Sequence, residues 1–210
     1  MRSSIRMKTL TATDPRRRAL LAGGAVFAGL MLAGAPVMAF DVNSARSLID
    51  RAIADVNGII ASGKGEAAML RDFEGIFARY ADVNAIARSA LGPTARSLSA
   101  PQLAAFTEAF RVYIARKYGR RFREFIGGQI EVTGAKPIKS YFEVSSIARL
   151  RGQSPFDLRW QVSDRSGKPL FFNIIIEGIN MLATERAEIG AMFDRRRGDL
   201  NLLIQDLKSI

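Results

Sequence analysis

The sequence contains no cysteine, no histidine and a single tryptophan. Without thiol or imidazole there is no disulfide framework, no Cys/His zinc site, no cysteine nucleophile and no Ser-His-Asp triad. Acidic residues are also in short supply, 20 against 31 Lys and Arg. The carboxylates that do occur, among them Asp72, Glu74, Asp82, Glu108, Glu177, Glu185 and Glu188, form no spacing that demands acid–base catalysis. No Gly-rich phosphate loop follows a strand; Gly127-Gly128 precedes one. No metal, cofactor or catalytic residue is expected. What remains is ordinary globular composition, 48% hydrophobic and 24% charged over 210 residues, enough for one domain with a sizeable core.

Residues 1–39 read as an export signal. A basic stretch ending in Arg16-Arg17-Arg18 precedes an apolar, Gly-containing segment from Ala19 to Leu32, and Val37-Met38-Ala39 supplies small residues at the −3 and −1 positions of a cleavage site. Cleavage after Ala39 would leave Phe40 as the first residue. The consecutive arginines before a weakly apolar run resemble a twin-arginine signal, with an ordinary Sec signal as the alternative. An uncleaved anchor is the competing reading, made poor by Gly23, Gly24, Gly29, Gly34 and Pro36. Without this segment 25 basic and 19 acidic side chains remain, a net charge of +6 in place of +11. That weakens any nucleic-acid reading, and an exported protein would rarely meet nucleic acid.

The remaining chain divides into a helical first half, a strand-rich middle and a helical tail. Val42, Ala45, Ile49, Ala52, Ile53, Val56 and Ile60 recur at the helical period, and Ser62 to Gly65 ends that helix. Leu70, Phe73, Ile76, Phe77 and Tyr80 form the stripe of a second helix. Asp82 is placed to cap a third, which Gly92-Pro93 stops. Ser99 with Gln102 forms a capping box for a fourth, carrying Leu103, Phe106, Phe110, Tyr113 and Ile114 and continuing through Tyr118 and Phe122.

From Gly127 the period becomes two. Ile130 and Val132, then Tyr141 to Leu150, then Phe156, Leu158, Trp160 and Val162 read as strands. Asp164 to Gly167 turns the chain into Leu170 to Ile176, apolar almost throughout, so both of its faces should be covered. Helices follow from Ala183 to Phe193 and from about Asp199. The expectation is an α+β domain over 40–210, a twisted four-stranded antiparallel sheet with helices packed on one side.

The order of motifs adds to this. Phe77-Ala78-Arg79-Tyr80-Ala81-Asp82, then Ile86-Ala87-Arg88 and Leu91-Gly92, resembles F-x-x-Y-x-D-x-x-x-I-A-R-x-x-L-G. Ser99, Gln102, Phe106, Phe110 and Tyr118 follow, then the strands, Ile176-Glu177-Gly178-Ile179-Asn180, Arg186 and a short apolar closing helix. This succession resembles the MlaC family of periplasmic phospholipid-binding proteins, also known as toluene-tolerance proteins, across about Val42 to Leu207. The chain departs from the pattern at Ala95, where an aromatic is common, at Asn180, usually serine, and at Ile189, usually phenylalanine.

The resemblance implies an apolar cavity between sheet and helices that holds phospholipid tails. It also implies shuttling across the periplasm between an outer-membrane lipoprotein complex and an inner-membrane ABC transporter with MCE-type subunits, in support of outer-membrane lipid asymmetry. On that basis Phe77, Tyr80, Ile86, Phe106, Phe110, Tyr113 and Ile114 are expected to line the helical wall. Ile130, Val132, Phe142, Val144, Trp160, Ile174 and Ile176 would line the sheet wall, with Ile179 and Met181 near one end. An ordinary filled core has the same spacing. Arg116, Lys117, Arg120, Arg121 and Arg123 place five cations within eight residues, suited to a lipid phosphate, an anionic membrane surface or an acidic docking face, or simply to a solvated helix face. The alternative function is a small α+β enzyme of isomerase or dehydratase type with Asp82 or Glu177 as base; a solute-binding protein would need a longer, two-lobed chain.

Overall fold

The computed structural model describes residues 40–120 and 128–210. The expected export segment, and Arg121, Phe122 and Arg123, lie outside the described residues. Four helices come first: α1 Val42–Ala61, α2 Glu66–Tyr80, α3 Val83–Leu91 and, after a short 3-10 helix Gly92–Arg96, α4 Ala100–Gly119. Strands β1 Gln129–Ile138, β2 Tyr141–Arg149, β3 Phe156–Ser163, β4 Leu170–Ile176 and β5 Ile179–Asn180 follow, then α5 Met181–Arg195 and α6 Leu200–Ser209. The architecture is α+β, as the period change predicts.

Side-chain caps fix where most of the helices begin. Asp41 Oδ1 accepts the Ser44 N–H, Asp82 that of Ala85, and Asp199 those of Asn201 and Leu202. Ser99 and Gln102 bond reciprocally, so both halves of the expected capping box form. Each cap satisfies donors that the first helical turn cannot.

The sheet is an antiparallel meander in the order β1-β2-β3-β4-β5, each strand pairing with its neighbour in sequence. The four expected strands are all present, and a fifth of two residues is added. β5 is created by a tight turn at Glu177-Gly178, where Ile176 pairs with Ile179. Both turn residues have positive φ, 48° and 83°, as the two central residues of a type I′ hairpin turn require. Glycine adopts this readily; glutamate does so only because the two strands hold it there.

Two register shifts break the strict alternation. Thr133 is the extra residue between Val132 and Gly134 in β1, and Phe172 the extra residue between Phe171 and Asn173 in β4. The second bulge matters most. It returns Phe171 to the helix-facing side and leaves Phe172 on the other, edge-on to Tyr141 at 5.6 Å.

The helices cover the sheet unevenly. α1 packs on β1 and reaches β2 and β3, while α3 and α5 meet β4. α4 packs on α2, α3 and α6, and among the described residues its backbone has little packing against the strands. Large side chains fill the space between α4 and the sheet, with Phe106, Phe110 and Val144 completely buried. At about 25 cal/mol per Å² of apolar surface removed from water, burial of such side chains throughout the core is the main favourable contribution to folding. The elbow between α2 and α3 is stitched to β4: Ala81 bridges Phe171, the Asp82 N–H bonds the Phe171 carbonyl at 2.7 Å, and the Ser166 hydroxyl donates to Asp82.

Candidate functional site

Aromatic side chains from three layers meet where α4 stands off the sheet. Phe106 and Phe110 stack at 5.7 Å on α4, and Tyr113 continues the line at 6.1 Å from Phe110. On the sheet, Trp160 lies edge-on to Phe171 at 5.3 Å, and Phe77 of α2 meets Phe171 at 6.1 Å. Such offset and edge-on pairs contribute beyond their buried area. The indole N–H donates to the Ser146 hydroxyl at 2.8 Å, so the one tryptophan is buried without an orphaned donor.

Most of the expected wall residues come together here. Tyr80, Ile86, Phe106, Phe110, Tyr113, Ile114, Val132, Val144 and Trp160 belong to one buried cluster, and Phe77, Ile130, Phe142 and Ile174 pack against it half-buried. Ile176, Ile179 and Met181 stand outside that cluster. Ile176 and Met181 are half-buried, and Ile179 on the β4–β5 hairpin is 59% exposed. Two tyrosines have polar tips with internal partners: Tyr80 donates to Asp55 of α1 at 2.8 Å and Tyr113 to Glu188 of α5 at 3.3 Å.

Sequence reasoning missed Phe171. Counting by two from Ile174 and Ile176 turns Phe172 and not Phe171 toward the helices, and the bulge reverses that parity. The one available signal was the nearly continuous apolar run of β4, broken only by Asn173. Leu170, Phe171 and Asn173 are buried, whereas Phe172, Ile174, Ile175 and Ile176 are only half-covered, less than the run implied.

The basic cluster after Ile114 is less open than five adjacent cations suggest. Arg116 donates to the Lys208 carbonyl at 2.9 Å and Arg120 to the main-chain oxygen of Ile210 at 2.6 Å, so both fasten the end of α6. Lys117 turns toward α5, where its ammonium pairs with Glu185 at 2.7 Å and with Glu188. Tyr118 also donates to Glu185. Burial opposes the Lys117 ammonium, but its bonds to Glu185 and Glu188 prevail and hold its pKa above the ordinary lysine value. Burial, with the Glu185 charge beside it, pushes the Tyr113 phenol up to about 12; burial and the bond to Glu185 also raise Tyr118.

The motif residues Leu91-Gly92 and Arg186 meet at another corner. Gly92 has φ +60°, a conformation side-chain-bearing residues rarely adopt, and a Cβ there would press on the Arg186 guanidinium at 3.1 Å. Asn180 and Ile189, two of the departures from the motif pattern, have plain structural work. Asn180 Oδ1 caps α5 by accepting the Ala183 N–H, a task serine performs equally, and Ile189 is wholly buried. Ala95 is buried as well.

The carboxylates proposed for an enzyme are placed for other tasks. Asp82 caps α3 with one oxygen and takes the Ser166 hydroxyl on the other, while Glu177 stands exposed in a turn. Among the described residues no group of His, Cys, Asp and Glu could hold a metal ion, and no helix is long and apolar enough to cross a membrane.

Comparison with solved structures finds the same fold in a phospholipid-binding protein from Ralstonia solanacearum, determined in complex with a phospholipid. The TM-score is 0.67 at 17% sequence identity, covering 79% of this chain and 96% of that one. The sequence model of the MlaC family, described as MlaC protein, matches residues 47–209, which takes in every helix and strand after the start of α1. The chain therefore belongs to the MlaC family, phospholipid-binding carriers that catalyse no reaction.

Proposed function

We propose that the protein takes the acyl chains of one phospholipid into the apolar space between α4 and the sheet and carries them across the periplasm. The observation that carries this reading is the scant backbone packing of α4 on the strands, with aromatic and branched side chains from both layers clustered between them. Side chains can give way to acyl chains of similar polarity without leaving polar groups unpaired. The wall would be formed by Phe77, Phe106, Phe110, Tyr113, Val144 and Trp160, with Phe171 added to the residues expected from sequence.

A carrier answers a large physical barrier. Two ordinary acyl chains hold roughly 30 methylenes, and at ~0.8 kcal/mol each their exposure to water costs on the order of 24 kcal/mol. An enclosing apolar wall removes most of that cost and needs no catalytic group. The donor and acceptor would be the outer-membrane lipoprotein complex and the inner-membrane MCE-type ABC transporter, reached after export and removal of residues 1–39.

Native mass spectrometry of the gently purified protein tests the reading, followed by extraction and identification of what it holds. About one glycerophospholipid per chain is the expected result on this account of the pocket. A clean unliganded mass, in a protein that also takes nothing from phospholipid vesicles, would sink it. Amino-terminal sequencing of the exported protein should begin at Phe40.

A further inference from the structure

α4 and α5 have little direct backbone packing, and long polar side chains join them. Lys117 reaches Glu185 and Glu188, Tyr118 reaches Glu185, and Tyr113 reaches Glu188. Glu185 is only 3% exposed, and among the described residues its Oε2 has no hydrogen-bond partner. A buried carboxylate oxygen without a partner is costly, so its retention calls for a reason.

Beside this seam lies a depression of about 380 Å³. Tyr113 and Met192 lie in it, and both belong to the buried apolar cluster, so its floor continues the protein interior. Arg120, Arg195, Lys117 and Glu188 also line it. Opposite charges are thus arranged around an apolar floor, at the flank of α4 that polar side chains join to α5.

We propose that this depression is the headgroup site of the carrier and that it takes a zwitterionic headgroup. The phosphate lies against Arg120 and Arg195, the primary ammonium against Glu188, and the tails pass inward between α4 and α5. The inference rests on the carrier reading. A wholly anionic headgroup meets Glu188, with the Glu185 carboxylate behind it; a simple cation meets two arginines. Only a group carrying both signs finds a partner for each. Arg120 has donors to spare, since a guanidinium carries five N–H groups and one bond goes to Ile210. The unpaired Oε2 of Glu185 also gains a role. When Glu188 turns to the ammonium, Lys117 finds a second acceptor on Glu185 and stays neutralised.

The test offers purified protein mixed vesicles of phosphatidylethanolamine and phosphatidylglycerol in equal amounts, and reads the bound lipid by native mass spectrometry. One ion pair at a partly exposed site is worth about a fivefold preference for phosphatidylethanolamine. In Glu188→Gln, whose amide oxygen still accepts from Tyr113, the preference should fall to the ratio supplied. Arg195→Gln should weaken phosphatidylethanolamine and phosphatidylglycerol alike relative to diacylglycerol. Wild-type protein that takes both phospholipids in the proportion supplied overturns the headgroup site and leaves the carrier reading intact. Uptake of no lipid overturns the carrier reading itself. Glycerophosphoethanolamine that competes as well as intact lipid would make this a site for soluble phosphoesters and overturn the assignment.

Discussion

α4 meets α6 and α5 in opposite ways. Against α6 it packs closely, the stripe Leu200, Leu203, Ile204 and Leu207 being buried throughout and Arg116 and Arg120 tying down the carbonyls at the end of that helix. Against α5 the same helix is joined by one lysine, two tyrosines and two glutamates. Apolar packing is non-directional and loses its contacts as soon as a gap opens. A polar bridge spans a gap and can exchange one partner for another, at the risk of stranding a charge. One face of α4 is therefore built to stay shut and the other to be rearranged.

Mutations can break this contrast. The largest loss is expected in the aromatic wall that α4 turns to the sheet: Phe110→Ala should cost about 4 kcal/mol in denaturant unfolding and reduce bound lipid as well. Undiminished lipid content in that variant would remove Phe110 from the wall. On the bridged side, Lys117→Met should cost about 3 kcal/mol by stranding Glu185, and adding Glu185→Met should recover most of it. If the double variant is no more stable than the single one, the seam is not held by that pair.

pH sharpens the same comparison. Lys117, Tyr113 and Tyr118 all have pKa values raised by the fold. A group that holds its proton more tightly when folded contributes its full stability below its unfolded value. It loses that contribution as pH climbs through the folded value. Stability should therefore fall above about pH 10, where free tyrosine begins to ionise, and in Tyr118→Phe the fall should be shallower. The smallest effect is local: Asn180→Ala should cost about 1 kcal/mol through the lost α5 cap, whereas Asn180→Ser should change the unfolding midpoint by only a few tenths.

Local chemistry made much of the fold legible. The capping box of Ser99 and Gln102, the cap at Asp82 and the alternation of Phe156 to Val162 depend on neighbours a few positions apart, and the structure matches each. What escaped was non-local. β5 exists because Ile176 and Ile179 pair across a turn whose glutamate is forced to positive φ. Phe171 escaped because a bulge shifts parity, and period counting has no means of placing a bulge. The basic run was visible as charge, but its partners lie 68 to 92 residues away, and spacing along one helix says nothing about them.

The meander has a consequence for the order of assembly. Each strand pairs with the next, so the sheet needs only short loops to close. The bonds from Arg46 to Val132 and from Ser166 to Asp82 join residues 86 and 84 positions apart. Long closures are paid for late, after local structure has formed. A chain made from its amino end thus presents the apolar stripes of α1, α2 and α3 before the sheet that covers them exists. It has no finished core until β4 is complete, and until then its exposed apolar surface leaves it open to aggregation.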